Sequence, residues 1–458
     1  MFFYPAPIII LNEDAPLKAN EEPKMIISYT FGNFRTFKED ATLSMKASSQ
    51  TTFNDRLIRT KEGRILPVAV VYGANASGKS NLILSLMVFR DIVLNGSITT
   101  QSPQTTIANL ELLPSLCTEE DGPMQFSIEF ITKEDHFRYS IGVKVGRLER
   151  IQRKVVYEKL EYFKKKQSIT LFERNDSSIR IARDKDSIKV LSVTKSFLDN
   201  VEEVLCKNTD KTDIFLARGF KSTICGPIAD SVMEFFRNGI TAITDFPLNN
   251  PRLEHVPIEA QNCLLWNETL DKFVKKADFG SHGICFKCEE EDDKGTKNNA
   301  DLFSIYDRNG SKVLVNADLM ESRGTIKLID FAILFSEHFS NGNALVIDEF
   351  DSSLHPEIVK GIISVFSDPS INKAGAQLIF TTHNPIYLSN KLFRRDQIFF
   401  VEKDSSSYQS DLYTLADFGS TEVRNDENYM INYFKGKYAT LPYIDFSEIV
   451  NNGKEETI

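Results

Sequence analysis

Short apolar runs and helical patterns alternate along much of the chain, and this alternation predicts an α/β protein with a parallel sheet. The run Val68–Tyr72 is brief and β-branched, as expected of a buried parallel strand. Residues 81–90 follow with good helix formers and without proline or glycine, which predicts a helix. Two more runs of the buried-strand type lie at 344–347 and 376–382.

A different pattern, in which apolar and polar residues alternate, predicts antiparallel strands before and after the first helix. Strand, turn and strand are predicted within residues 26–45. The strands of a predicted meandering sheet lie at 124–130, 137–143, 151–156 and 168–172. Apolar positions at helical spacing then occur at 190–205, 228–238 and 268–276.

These changes of pattern divide the chain into four predicted parts. Residues 1–24 include a polar, proline-containing stretch and are expected to form a poorly ordered N-terminal extension. Residues 25–185 are expected to form an N-terminal lobe with the antiparallel sheet, and 186–276 a helical insertion. Residues 277–458 are expected to complete the core as a C-terminal lobe.

Composition narrows the class of protein. The 458 residues carry a formal net charge of −10, which favours solubility and argues against wholesale wrapping of nucleic acid. No apolar stretch approaches the roughly 20 residues of a membrane span, so we expect no membrane partner. Six scattered cysteines and no secretory signature predict reduced thiols and a cytoplasmic location.

Two segments leave alternatives open. Cys285 and Cys288, with His282 before them, have the spacing of half a metal site, but no second pair follows and the segment also alternates like a strand. A basic cluster is interleaved with aromatic residues, which fits either a surface for nucleic acid or another acidic partner, or solvated strand edges. Its basic residues are Arg147, Arg150, Arg153, Lys154 and Lys164–Lys166.

The segment between the first buried strand and the first helix reads G-x-x-x-x-G-K-S, from Gly73 to Ser80. Strand, glycine loop and helix form a phosphate site, because backbone N–H groups and the helix N-terminus face the ligand. Lys79 is expected to reach the β- and γ-phosphates and Ser80 to hold Mg²⁺. The predicted nucleotide-binding residues here are Gly73, Ala74, Asn75, Ala76, Ser77, Gly78, Lys79, Ser80 and Asn81.

The predicted strand 344–347 ends in two acids, Asp348 and Glu349. Strand ends of this kind lie at the ligand-binding edge of open α/β sheets, beside the glycine loop. Asp348 is therefore a predicted Mg²⁺ ligand together with Ser80. Glu349 is the predicted general base that polarises the attacking water.

Two further segments are expected at the same edge. His383 follows the predicted strand 376–382, which would lie next to the acidic strand, so a contact with the γ-phosphate is expected. Ser322 is a predicted cap of the helix that starts near Ile326, and Gly324 would let a phosphate approach closely. Alone, this last segment is only a helix start.

The order of these motifs resembles that of ABC-type ATPase heads of the SMC, RecF and OLD kind. In this comparison Gly73–Ser80 resembles Walker A, 321–325 a divergent signature motif, 345–349 Walker B, 351–356 a D-loop, and His383 the switch histidine. Asn33–Phe37 resembles an N-terminal stretch whose arginine, here Arg35, reaches the nucleotide. The tail resembles AAA-type ATPases of bacterial phage defence, the RloA-like and AriA-like (PARIS) proteins.

The resemblance implies a P-loop NTPase fold of the ABC-ATPase head type, with an antiparallel β lobe and a helical insertion. It also implies a Mg²⁺-dependent ATPase in which two heads, or a higher oligomer, sandwich ATP, with Ser322 and Gly324 acting on the partner's nucleotide. Glu321 and Arg323 depart from the usual signature, and the Q-loop glutamine is Gln101, Gln104 or Gln125.

The segment after His383 is too short for the nuclease domain of OLD proteins, so we expect an effector, a nuclease or toxin, to act in trans. The predicted function is an ATPase that changes its assembly state with nucleotide and regulates this effector in anti-phage defence, with DNA or a phage protein as trigger. Two alternatives are a RecF- or SMC-like DNA-binding ATPase of DNA repair, and a slow ATP-dependent scaffold.

Overall fold

A computed structural model describes most of the chain. The residues that it describes are 8–10, 24–99, 112–115, 122–132, 135–145, 153–164, 167–176, 178–244, 264–266, 268–277, 283–288, 300–419, 422–424 and 426–438. Within these ranges, no helix is both long and apolar enough to cross a membrane.

The strands are numbered in chain order. They are β1 Ile8–Ile10, β2 Met25–Gly32, β3 Ala41–Ser44, β4 Ile58–Thr60, β5 Gly63–Ile65, β6 Val68–Tyr72, β7 Met124–Thr132, β8 Asp135–Val145, β9 Arg153–Lys164, β10 Gln167–Asn175, β11 Ser178–Ile181, β12 Ile240–Ile243, β13 Leu264–Trp266, β14 Gly283–Cys288, β15 Ala300–Arg308, β16 Ser311–Asn316, β17 Ala344–Ile347, β18 Gln377–Thr382, β19 Ile398–Lys403 and β20 Ser410–Thr414.

The α-helices are also numbered in chain order. They are α1 Lys79–Asn95, α2 Lys185–Leu191, α3 Lys195–Asn208, α4 Gly226–Glu234, α5 Glu268–Lys276, α6 Ala317–Met320, α7 Arg323–Phe339, α8 Pro356–Ser367 and α9 Tyr429–Phe434. Two π-helical segments, Leu216–Ile224 and Phe235–Gly239, flank α4.

The centre of the fold is a six-stranded sheet in the order β12-β17-β18-β6-β19-β20. Its first five strands are parallel, and β20 pairs antiparallel with β19. Every residue of β6, β17 and β18 is buried, because both faces of this sheet are covered. The α/β fold predicted from the buried runs is confirmed.

Successive residues of β6 serve two different cores, as the alternation of a strand requires. Ala69 and Val71 pack into a core with α1 and a seven-stranded antiparallel sheet. Val68 and Val70 pack into a second core with α7 and α8 on the other face. The strand before the glycine loop is thereby fixed from both sides.

The antiparallel sheet has the order β11-β10-β9-β8-β7-β2-β3 and is the predicted meander. It is joined to the parallel sheet by the fully buried amide of Gln377 on β18. Gln377 Oε1 accepts from the N–H of Ile26 at 2.7 Å, and Nε2 donates to the carbonyl of Ile26 at 3.0 Å. Because both amide groups are paired, this polar side chain is accommodated in the core without an unsatisfied atom.

Two features differ from the sequence expectations. The segment 186–276, expected to be helical, contains α2 to α5 but also β12, which adds a parallel strand beside β17. The four residues of β12 are too few to show the alternation of apolar and polar positions that predicts a strand. Pairing with β17 decides their conformation. Ile8–Ile10, placed in the poorly ordered extension, pairs in parallel with Leu264–Trp266 in a five-stranded sheet; the rest of 1–23 lies outside the described residues.

Candidate nucleotide-binding site

The glycine loop connects β6 to α1 at the carboxyl edge of the parallel sheet. Its backbone turns through two left-handed residues, Ala76 at φ 61° and Gly78 at φ 115°. Lys79 begins α1, and its buried ammonium donates to the carbonyls of Gly73 and Ala74, both at 2.9 Å. The ammonium is thus held across the opening of the loop, where it can exchange these carbonyl partners for phosphate oxygens.

Glycine is required at two points of this loop because other backbone approaches closely. A Cβ on Gly73 would lie 2.5 Å from the carbonyl oxygen of Val401 on β19. A Cβ on Gly78 would lie 2.8 Å from Ser410 Oγ, at a φ that other residues rarely adopt. The two glycines of the motif therefore allow the loop to rest directly on the β19–β20 hairpin.

Ser410 is a site residue that the sequence analysis did not identify. Its hydroxyl donates to the carbonyl of Ser77 at 2.6 Å, and its N–H donates to the carbonyl of Thr36 at 2.8 Å. One residue of β20 therefore connects the glycine loop to the turn after β2. Nothing in the pattern around Ser410 signals this contact, since it depends on three segments far apart in sequence.

Arg35, assigned through the family resemblance, lies in that same turn. It adopts φ 51°, and its Nη1 is 3.5 Å from Asn81 Oδ1 on α1. Asn81 in turn donates to Thr36 Oγ1 at 2.9 Å. The turn that carries Arg35 is therefore adjacent to the first turn of α1 and to the glycine loop.

The acidic pair follows β17, and both acids contact Thr381 on β18. The Thr381 hydroxyl donates to Asp348 Oδ1 and accepts from the N–H of Glu349 at 2.8 Å. Asp348 is 7% exposed, whereas the Glu349 side chain is exposed and its backbone is left-handed, with φ 43°. One acid is thereby held within the sheet edge, and the other faces solvent.

The acidic edge acts on the pKa of the Lys79 ammonium. Burial lowers the pKa of Lys79 below its usual value, and the carboxylates of Asp348, Glu349 and Asp351 oppose this shift. The strands that lead to these groups are neighbours, because β18 pairs in parallel with both β17 and β6. The glycine loop and the acidic strand end therefore lie at the same edge of the sheet.

A second polar cluster lies behind the acidic pair. Asp351 Oδ1, Tyr72 OH and Tyr387 OH are buried atoms without a protein hydrogen-bond partner in the described part of the chain. Burial, and then the Asp351 carboxylate, raise the pKa of both tyrosines. These groups belong to the end of β6, the D-loop segment and the segment after His383.

The signature-like segment caps α7. Ser322 Oγ accepts from the N–H of Thr325 at 3.1 Å, which confirms the predicted cap. Glu321 accepts from Ser304 Oγ at 2.6 Å and from Tyr306 OH at 2.9 Å, both on β15. The unusual glutamate at this position therefore attaches the segment to the five-stranded sheet.

Gly324 packs closely against a second segment of its own chain. A Cβ there would lie 2.2 Å from the carbonyl oxygen of Ser353, so the glycine permits contact with the D-loop of the same chain. Approach of a partner's phosphate to Gly324, expected from the resemblance, stays a prediction because one chain is described. Within that chain the segment and the D-loop form one packed unit.

His383 directly follows β18 and is exposed. Thr382 pairs with Tyr72 in register, so β18 and β6 end at the same level and His383 lies at the edge of the glycine loop. Of the three Q-loop candidates, Gln101 and Gln104 lie outside the described residues. Gln125 is exposed on β7.

The structure describes part of each segment for which the sequence left alternatives, the cysteine-containing segment and the basic cluster. Gly283–Cys288 is a strand, and burial raises the pKa of the Cys285 thiol to about 12. His282 and the side chain of Cys288 lie outside the described part of the chain. Lys154 pairs with Asp176 and Lys164 with Asp186 on the antiparallel lobe. The described part of the basic cluster is therefore largely matched by acids.

The residues present fit a nucleoside triphosphate with a hard divalent cation. The loop presents backbone N–H groups at the N-terminus of α1, and Ser77 Oγ is buried there without a hydrogen-bond partner among the residues that the structure describes. Oxygen ligands are available from Asp348 and from the exposed Ser80, and Mg²⁺ prefers such ligands. Ser80 and Asp348 would hold the ion, and the loop and Lys79 the phosphates.

Comparison with solved structures gives matches of low similarity to heads of SMC proteins. One is described as an SMC head bound to the C-winged helix domain of ScpA, with 14% identity, TM-score 0.38, and coverage of 87% of this chain and 99% of that chain. The SMC head domain from Thermotoga maritima has 13% identity, TM-score 0.33, and coverages of 85% and 98%. The fold assignment rests on the strand order given above. No curated protein matches the sequence significantly.

The sequence also matches a family model over residues 68–198 and 249–389, more than half of the chain. The match includes the glycine loop, the signature-like segment, the acidic pair and His383. The family is described as "AAA domain, putative AbiEii toxin, Type IV TA system". With its glycine loop and its acidic pair at one edge of the sheet, the chain belongs to this family of AAA-domain ATPases.

Proposed function

We propose that the chain binds ATP with Mg²⁺ at the carboxyl edge of its parallel sheet and hydrolyses it. The observation that carries this proposal is the strand order: the loop with Lys79 follows β6, and Asp348 and Glu349 follow β17, so that both lie at one edge of the sheet with β18 between them. About 270 residues separate these two segments along the chain. Neither group alone distinguishes a nucleotide site from a structural ion pair. Together with the glycine loop they form a phosphate site with a base beside it.

Each residue has a task in this reaction. The loop from Gly73 to Asn81 donates backbone N–H groups to the phosphates, and Lys79 exchanges its two carbonyl partners for phosphate oxygens. Ser80 and Asp348 hold Mg²⁺, which when bound offsets the negative charge that develops on the transferred phosphoryl group. Arg35 supports the nucleotide from the turn beside α1.

Glu349 is placed to activate water. Its side chain is exposed at the strand end, while its N–H is held by Thr381. A carboxylate there can accept the proton of the attacking water as oxygen–phosphorus bond formation proceeds. His383, exposed at the end of the adjacent strand, contacts the γ-phosphate side.

We propose further that two copies face each other, so that Ser322 and Gly324 of one complete the ATP site of the other. In this arrangement ATP promotes assembly and hydrolysis releases it. The exposed N-terminus of α7, with Ser322 exposed, supports this orientation. Through its assembly state the ATPase would regulate an effector, a nuclease or toxin, in anti-phage defence; the toxin–antitoxin wording of the family description supports that role.

The test compares wild type with Lys79→Ala and Glu349→Gln. We expect Lys79→Ala to lose ATP binding at least about a hundredfold, because the loop loses its cation. Glu349→Gln should bind ATP but release phosphate at least about a hundredfold more slowly. Static light scattering should then find an ATP-dependent doubling of mass that persists only in Glu349→Gln.

Equal masses of the Glu349→Gln protein with and without ATP would rule out the assembly switch. Absence of phosphate release from wild type would favour the scaffold alternative instead. For the defence role, cells carrying the gene with its neighbours should lose protection against phage when Lys79 is changed to alanine. Unchanged plating efficiency would contradict that role.

A further inference from the structure

Lys327 is a buried lysine at the back of the acidic edge. It lies on α7, five residues after the cap Ser322, and is 5% exposed. Its ammonium donates to the carbonyl of Glu349 at 2.8 Å and to Ser352 Oγ at 2.8 Å. It therefore connects the signature helix to the Walker B acid and to the D-loop of the same chain.

A lysine in this place is costly, which argues that the position is under a constraint beyond packing. Burial lowers the pKa of Lys327 to about 8, even though Asp351, Glu349 and Asp348 oppose the shift. An apolar side chain of similar length would fill the same space without the desolvation penalty. The hydrogen bonds that the ammonium makes are thus the distinctive contribution of this residue.

Those hydrogen bonds act on a strained residue. Glu349 has φ 43°, a left-handed conformation that non-glycine residues adopt at a cost of about 1 kcal/mol. Its N–H is held by Thr381, and its carbonyl accepts from Lys327 and from the N–H of Ser352 at 3.0 Å, so both peptide groups around its Cα are fixed. With the backbone fixed on both sides, the direction of the Glu349 Cα–Cβ bond is fixed as well.

We propose that Lys327 is a positioning residue for ATP hydrolysis, which holds the left-handed backbone of Glu349 so that its carboxylate faces the nucleotide. The inference rests on the proposed function, since it assigns a role within that reaction. Lys327 touches neither nucleotide nor water in this role and acts through the backbone of Glu349. Losing it should impair the chemical step and leave ATP binding intact.

The experiment compares Lys327→Met, Lys327→Arg and Ser352→Ala with wild type. We expect Lys327→Met to lower kcat by about 30-fold or more, which is a fraction of the roughly 10²- to 10⁴-fold that a general base contributes. KM and the Kd of ATP should stay within about threefold of wild type. Lys327→Arg keeps a donor and should recover at least about a third of the lost rate on a logarithmic scale. Ser352→Ala removes the hydroxyl that accepts from this ammonium and should lower kcat by about threefold to tenfold.

The control is Lys360→Met on α8, which replaces a lysine whose ammonium pairs only with the exposed Glu357 among the residues described. It should leave kcat and KM within about twofold. A further readout is single-turnover hydrolysis in a Glu349→Gln background. If Lys327 acts through Glu349, adding Lys327→Met there should change the residual rate by less than about twofold.

A purely structural role predicts a different result, in which kcat, ATP affinity and thermal stability fall together in Lys327→Met. That result, or an unchanged kcat, overturns the inference, and Ser352→Ala decides it if Lys327→Met does not fold. Failure of the Lys327 role and failure of ATP hydrolysis itself give different results. If wild type hydrolyses ATP and the Lys327 and Ser352 variants do so equally well, only this inference fails; if wild type does not hydrolyse ATP, both fail.

Discussion

The carbonyl oxygen of Ser353 occupies the space that a side chain at Gly324 would need. A Cβ at position 324 would lie 2.2 Å from that oxygen, closer than non-bonded atoms can approach. Ser353 itself adopts a left-handed conformation, with φ 63°. The signature helix and the D-loop are therefore packed against each other through backbone, which makes the contact sensitive to a single methyl group.

Gly324→Ala should separate these two segments. Because backbone at Ser353 has to move, we expect destabilisation by about 1–3 kcal/mol and a loss of ATPase activity of about tenfold or more. The measurements are thermal unfolding and steady-state phosphate release.

Gly361→Ala on α8 is the matched control, since a Cβ there meets nothing within 4 Å. The helix propensity of alanine should stabilise the protein by about 0.5–1 kcal/mol without affecting turnover. Equal behaviour of the two variants would mean that the contact between position 324 and Ser353 is unimportant.

Ser410→Ala should weaken nucleotide binding without removing any group that touches the nucleotide. The substitution deletes the hydrogen bond to the carbonyl of Ser77 and leaves the glycine loop less ordered before ATP arrives. We expect the Kd of ATP to rise by about threefold to tenfold, equivalent to about 1 kcal/mol for one hydrogen bond. Isothermal titration with ATP measures this.

Ser405→Ala in the same hairpin provides the comparison, because that residue is exposed. Its affinity for ATP should match wild type. A Ser410→Ala protein with wild-type affinity would show that the loop holds its conformation without β20.

Glu129 should make the antiparallel lobe sensitive to acid. Burial raises its pKa, but hydrogen bonds from His136, Lys46 and Arg138 outweigh this and lower it to about 2. A carboxylate with a lowered folded-state pKa stabilises the fold above its unfolded pKa of about 4.5, and this stabilisation is lost as pH falls towards 2.

Solvent screens the ion pairs of Glu129 because Lys46 and Arg138 are partly exposed. The carboxylate therefore stabilises the fold by about 2 kcal/mol at neutral pH. Glu129→Gln should therefore unfold at lower temperature than wild type at pH 7, and the difference should shrink between pH 4.5 and pH 2. Thermal unfolding across this range checks it. A difference that does not change with pH would assign the effect to packing.

Much of the site was predictable because its parts are local patterns. Val68–Tyr72 is fully buried and the helix after Gly78 begins at Lys79, as the β-branched run and the glycine loop predict. The cap at Ser322 was equally visible, since a serine before a helix satisfies an otherwise free N–H. The family resemblance stated from these motifs is confirmed at the level of an AAA-domain ATPase.

Other parts were not predictable from the same patterns. Lys327 lies in an apolar helix where its spacing indicates only one more helical residue, and Ser410 starts an edge strand without distinctive neighbours. The strand Ile240–Ile243 is too short for a period and exists because β17 offers a pairing edge. Each owes its role to a segment distant in sequence.

The sequence by itself determined the chemistry of this protein: a glycine loop that can only bend where glycine stands, a lysine, and two acids at a strand end. Only the tertiary structure decided how those groups are held, through Thr381 between the acids, Ser410 beneath the loop and Gly324 against Ser353. The physical reason is the separation along the chain over which each kind of interaction acts. Backbone propensities and hydrophobic periods act over a few residues, whereas hydrogen bonds and close packing join atoms whatever their separation along the chain.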